Sequence, residues 1–157
     1  MIQQLAIGAV LITATVMVHG VATRSAIHFA VRLHTRSPMM PGAWKITWLT
    51  AMFVMTMFLA AMLEALIWAW TYIAVGAFDG LESAFYFSLV AFSTLGFGDI
   101  VLDPSWRVLS AVEATNGIIL FGWTTALIFW FLQRLVGASR LMDGLAAGVN
   151  RVSSRPD

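Results

Sequence analysis

Residues 79–99 read DGLESAFYFSLVAFSTLGFGD, and the fold turns on this stretch. Residues 81–95 are apolar, yet too few to cross a hydrocarbon core of about 30 Å as a helix rising about 1.5 Å per residue. The segment therefore reads as a re-entrant helix over residues 80–92. Asp79 is placed to cap it, with Glu82 at the third position reaching back as in a capping box. A helix entering from outside points its C-terminus at the membrane centre, where the partial negative end of its dipole favours a cation. Gly96 and Gly98 follow and permit positive φ, so successive carbonyls can turn toward one axis, with the Thr94 hydroxyl adding oxygens below them. Irregular backbone at this depth is tolerated only inside protein or along a wet cavity.

Outward from this stretch lie long apolar runs. Residues 46–75 carry only Glu64 as a charge, and residues 108–132 carry only Glu113; a third run, residues 5–22, comes first. Each meets the length of about 18 apolar residues expected of a span. Composition agrees: 60% of the 157 residues are hydrophobic and 11% charged, where soluble domains run near about 25% charged. The first residues hold no Lys or Arg, so the first run lacks the basic n-region of a secretory signal and reads as a retained span. A net charge of +1 gives no basic excess for nucleic acid, and the absence of cysteine excludes disulfides, thiolate metal sites and cysteine nucleophiles.

Orientation follows the cations. Arg24, Arg32, Arg36 and Lys45 lie between the first two spans, and Arg134, Arg140, Arg151 and Arg155 follow the last. The positive-inside rule makes that side cytoplasmic, which puts the N-terminus outside and the C-terminus inside. The outer connection holds Asp79, Glu82, Asp99 and Asp103 against Arg107 alone. Trp44 and Trp48 fall in the inner aromatic belt, Trp68 and Trp70 in the outer one.

Thr94 to Asp99, TLGFGD, resembles the TVGYGD signature of the tetrameric potassium channel pore domain. The span after it, with Gly117, Phe121, Gly122, Thr124 and Thr125, is similar to the inner helix of bacterial two-span channels. The resemblance covers roughly residues 44–134 and implies an all-α integral membrane protein with three transmembrane helices, a re-entrant pore helix and a selectivity-filter loop. It implies K+ ligands at the carbonyls of Thr94, Leu95, Gly96 and Phe97 and the Thr94 hydroxyl, with Gly98 completing the filter. Rings of carbonyls need four such loops, hence a homotetramer. The same resemblance puts Gly117 at an inner-helix hinge, lines the cavity with Ile118, Phe121 and Thr125, and brings Phe129 and Gln133 to a cytoplasmic constriction. Ser93, Tyr86 and Asp99 would support the filter.

Three features depart from the family pattern. Leu95 and Phe97 replace the commoner Val and Tyr, and Phe97 lacks the hydroxyl that can tie the filter to the pore helix. Val90 stands where some members place a carboxylate behind the filter, leaving Tyr86 as the candidate partner of Asp99. An extra span precedes the pore unit.

The domains expected are an N-terminal span over 1–23, a basic interfacial segment over 24–43, a pore domain over 44–136 and a short cytoplasmic tail over 137–157. Within the pore domain lie an outer helix (44–76), the pore helix (80–92), the filter (93–99) and an inner helix (105–134). Arg24, His28, Arg32 and Arg36 recur every four residues, which suits a helix touching anionic lipid, with His28 and His34 open to proton sensitivity. Leu141, Leu145 and Val149 suggest a short amphipathic helix in the tail, where Gly144 and Gly148 form a GxxxG without the apolar context that gives it meaning. The tail is too short for a soluble gating domain. Glu64 and Glu113 are intramembrane acids that either pin helices or titrate. His19, His28 and His34 form no metal-ligand spacing and stand far from the outer acids, so no enzyme is expected.

The expected function is K+ conduction in the plasma or inner membrane, with lipid as a partner and no cofactor beyond the permeant ion. A weakly selective Na+/K+ channel and a non-conducting subunit that keeps the pore fold are the alternatives.

Overall fold

The computed structural model describes the backbone of residues 1–36 and 42–153 and the side chains of residues 1–32 and 44–134. The described chain is all-helical, with α1 (Ile2–Arg36), α2 (Gly42–Ala74), α3 (Leu81–Phe92) and α4 (Arg107–Ser153) in order. Ile2–Arg32, Trp44–Ala74 and Arg107–Arg134 are long and apolar enough to cross a membrane. With 12 residues, α3 reaches only about 18 Å and cannot span. The chain is a multi-pass membrane protein.

Local chemistry sets the helix ends. At the end of α2, Gly76 takes φ +73°; its N–H bonds to the Ile73 carbonyl and that of Ala77 to the Tyr72 carbonyl. This paired arrangement closes a helix on a left-handed residue, which glycine adopts without a Cβ clash. Before α4, the Trp106 N–H bonds the Asp103 carbonyl at 2.9 Å, a turn with Pro104 at the position its fixed φ suits. The Asp103 carboxylate accepts from the Ser105 N–H and hydroxyl at 3.1 and 2.9 Å, and these bonds hold its carboxyl below the ordinary range.

Several joins differ from the sequence reading. Residues 24–36 are not a separate segment, because α1 runs unbroken to Arg36, two residues before Pro38; no glycine or proline interrupts it after Gly20. The inner helix likewise continues to Ser153, there being no proline between Arg107 and that point. Asp79 does not cap α3. Gly80 is the N-cap, with extended backbone and no side-chain cap bond, and Glu82 lies in the first turn. The side chains of His34, Arg36, Leu141, Leu145 and Val149, and the spacing of Gly144 and Gly148, lie outside the described side chains.

Helices α1 and α3 each pack on both α2 and α4, and among the described residues not on each other. One core joins Leu11, Trp68, Tyr72, Phe87, Phe92, Leu102, Leu109 and Leu120. A second joins Ala26, Ala30, Leu49, Phe53, Met57 and Phe131, with Phe53 stacked on Phe131 at 4.7 Å between ring centroids.

The face α1 buries is its polar one. Gln4, Gly8, Leu11, Thr15, His19, Thr23, Ala26 and Ala30 are buried, while Val10, Met17 and Val21 are exposed. In lipid the apolar face needs no protein, and small or hydrogen-bonding residues make helix contacts. The Gln4 amide reaches the first turn of α4, where its Oε1 accepts from the Leu109 N–H at 3.2 Å and its Nε2 donates to the Ser105 carbonyl. The Leu109 N–H, which also bonds the Trp106 carbonyl at 3.0 Å, thus takes a second acceptor from another helix. Asn116 donates to the Thr15 hydroxyl at 2.8 Å, and a Cβ on Gly8 would come within 2.7 Å of Val112.

Candidate functional site

The site is the loop leaving α3, and α3 is anchored from behind. Its buried residues Ala84, Phe87, Ser88 and Phe92 recur at helical spacing along one face. The Ser88 hydroxyl donates to the Ala65 carbonyl of α2 at 2.7 Å and contacts Glu113 of α4. Glu113 also accepts from the Tyr72 hydroxyl of α2 at 2.6 Å. One fully buried carboxyl therefore ties the outer helix, the short helix and α4 together.

Where α3 ends, its last carbonyls take up the start of the loop. The Thr94 N–H bonds the Ala91 carbonyl at 2.9 Å and the Leu95 N–H bonds the Val90 carbonyl at 3.0 Å, the same closure as at Gly76. Here the left-handed residue is Thr94, at φ +59°. A β-branched residue in that region is strained, and such strain gathers at functional sites.

Positive φ then recurs at every second residue: Thr94 at +59°, Gly96 at +57° and Gly98 at +76°, with Leu95 and Phe97 between them on the ordinary side. In a uniform strand successive carbonyls point to opposite sides. Alternating the hand of successive residues gathers the N–H groups on one side and leaves the carbonyls for the other. Among the described residues, the carbonyls of Thr94, Leu95, Gly96 and Phe97 accept no hydrogen bond from the chain. Ser93 to Asp99 are all exposed, Leu95 to 57% and Phe97 to 64%. The Ser93 hydroxyl bonds back to the Leu89 carbonyl at 2.6 Å.

On the far side of the loop, the Tyr86 hydroxyl donates to Asp99 Oδ2 at 2.7 Å. This bond, the first cause, holds the Asp99 carboxyl below its ordinary value. Asp99 and Asp103 are thus ionised at neutral pH beside the loop, with Arg107 donating to the Leu102 carbonyl nearby.

Below the loop, Ile118, Phe121, Thr125, Phe129 and Gln133 are all exposed and recur every three or four residues on one face of α4. Phe121 meets Phe92 edge-on at 5.5 Å. Gly117 has a packing reason to be glycine: a Cβ there would lie 1.9 Å from the Phe92 carbonyl oxygen. The helix is continuous through it, and at this point α4 packs tightly on the end of α3.

Glu64 sits apart from Glu113 and meets α1. Its Oε1 lies 3.0 Å from His19 Nδ1, and His19 Nε2 lies 3.2 Å from the Thr124 hydroxyl. Sequence reasoning missed Gln4, Thr15 and His19 as partners of α2 and α4, and Asn116 of α4 as the partner of Thr15. The signal was present in the recurrence of polar or small residues at 4, 8, 15 and 19 within an apolar span.

The family model described as an ion channel matches residues 46–134, from near the start of α2 to the described end of the span in α4. No curated protein and no solved structure matches the chain.

Proposed function

The chain belongs to the ion channel family, and from that premise we propose that it conducts potassium through a pore closed by four copies of itself. The observation that carries the reading is the alternation of φ at Thr94, Gly96 and Gly98 beside four carbonyls with no donor among the described residues. Oxygens so freed suit an ion stripped of its hydration shell, and four loops around one axis make the rings that potassium filters use.

Assembly follows the same logic. One chain leaves the loop and an apolar face of α4 exposed together, and neither irregular backbone nor free carbonyls are tolerated against lipid. Around a fourfold axis the loop residues turn inward, Ile118, Phe121 and Thr125 line the space beneath, and Phe129 and Gln133 approach the far mouth. Asp79, Glu82, Asp99 and Asp103 then ring the outer mouth and concentrate cations there. The distribution of cations supports an orientation with that mouth outside the cell membrane and the C-terminus in the cytoplasm.

Flux from proteoliposomes under opposed potassium and sodium gradients tests the proposal. Potassium flux exceeding sodium flux manyfold, and lost in Gly96→Ala, supports it. Equal fluxes lost in that variant would make the chain a weakly selective cation pore, the reading favoured by the missing hydroxyl at Phe97. No flux in any condition would favour a non-conducting subunit.

A further inference from the structure

Three helices meet at one buried polar point beneath the filter loop. His19 of α1 is 1% exposed and Glu64 of α2 is fully buried, while Thr124 of α4 completes the chain of contacts. The second oxygen of Glu64, Oε2, is buried with no partner. A cavity of about 270 Å³ adjoins the pair and extends to Phe92, Ser93 and Phe121, at the end of α3 and on the pore-facing side of α4. We infer that the His19–Glu64 pair is a proton-binding site whose occupancy sets how firmly α1 clasps α2 and α4, and so makes conduction depend on pH; this rests on the channel reading.

The argument is one of charge. A neutral imidazole donating from Nδ1 to an ionised Glu64 and accepting from Thr124 at Nε2 leaves the node with one net negative charge in a low-dielectric surround. An added proton, on Nε2 or on the carboxyl, brings the node to neutrality, and the two groups take it up as a unit. With the imidazolium, the same two contacts become charge-assisted and the carboxylate charge is balanced. When the proton leaves, that charge is no longer balanced, and the uncovered Oε2 draws water from the cavity side, which loosens α1.

Among the described residues, the pair stands alone as titratable groups lining this cavity. From α3 the cavity takes Leu89, Phe92 and Ser93, and from α4 Leu120, Phe121 and Thr124, none of which titrates. Glu113 of α4 and Tyr72 of α2 are bonded to each other. Glu82 and Tyr86 of α3, Arg107 and Arg134 of α4, and Arg24, His28 and Arg32 of α1 are exposed elsewhere, and Lys45 of α2 does not line the cavity.

Two measurements on the full chain in lipid test this. The ring-nitrogen NMR signals of His19, assigned with His28→Gln and His34→Gln, should change between about pH 5 and about pH 9. Potassium flux should change about fivefold or more over that range, keep its profile in His28→Gln, and lose it in His19→Gln and Glu64→Gln. His19 signals that stay constant overturn the proposal even if a variant fails to assemble. A pH profile that persists in both pair variants overturns it as well. Absence of flux with His19 still titrating would instead overturn the channel reading on which the coupling rests.

Discussion

Gly117 and Tyr86 are the residues at which single atoms decide most. Alanine at 117 would drive a methyl into the Phe92 carbonyl, which is backbone and cannot rotate away. Gly117→Ala should therefore displace the end of α3, cost about 1–3 kcal/mol as overpacking does, and abolish flux. Gly122→Ala meets nothing within 4 Å among the described residues and should leave the thermal midpoint of the purified protein in place; equal losses in the two variants would contradict this. At Tyr86, the sign of the pH effect follows from the depressed Asp99 value. The Tyr86–Asp99 bond is fully present above the ordinary aspartate value of about 3.9 and is lost as pH falls through the lower, folded-state value. Tyr86→Phe should move the carboxyl titration of Asp99, read by carbon NMR, up toward the ordinary value. An unmoved titration would show that the bond does not set it.

Among the elements, α3 was legible, whereas α1 was legible as a span but not as a partner of α4. The sequence placed a short helix over residues 80–92 with glycines beyond it, and α3 runs Leu81–Phe92. Its cap differed, because the extended Gly80 took the position that Asp79 was expected to fill. Helix α1 carried a pattern that reverses the soluble one: its polar residues face protein, since lipid already solvates the apolar side. Read as an apolar run, it shows a span; read for where Gln4, Thr15 and His19 recur, it shows a partner of α4. The contact of Glu113 with Ser88 and Tyr72 joins helices far apart in sequence, so no local pattern announces it. Glu113→Leu should leave the Tyr72 hydroxyl buried without its acceptor, at about 1–3 kcal/mol, whereas Glu113→Gln keeps an acceptor there. Thermal unfolding in detergent should rank the two, with the leucine variant lower; identical midpoints would contradict the tie.

At the scale of the whole molecule, the proposed pore needs more than one chain. Among the described residues, the loop carbonyls lack donors, Leu95 and Phe97 stand exposed, and one face of α4 has no neighbour. TLGFGD and the residues below it on α4 were legible in the sequence, while the strain at Thr94 and the close approach at Gly117 emerged only with the backbone. Purified protein should run as a tetramer with its lipid, and a monomer would leave no way to close the ring. The most direct measurement of the central claim is the reversal potential of wild-type current across a planar bilayer, with potassium higher on one side and sodium balancing it on the other. The account predicts a reversal close to the potassium equilibrium potential, and no such current in Gly96→Ala. A reversal near zero, or a potassium-selective current that survives in Gly96→Ala, would contradict it.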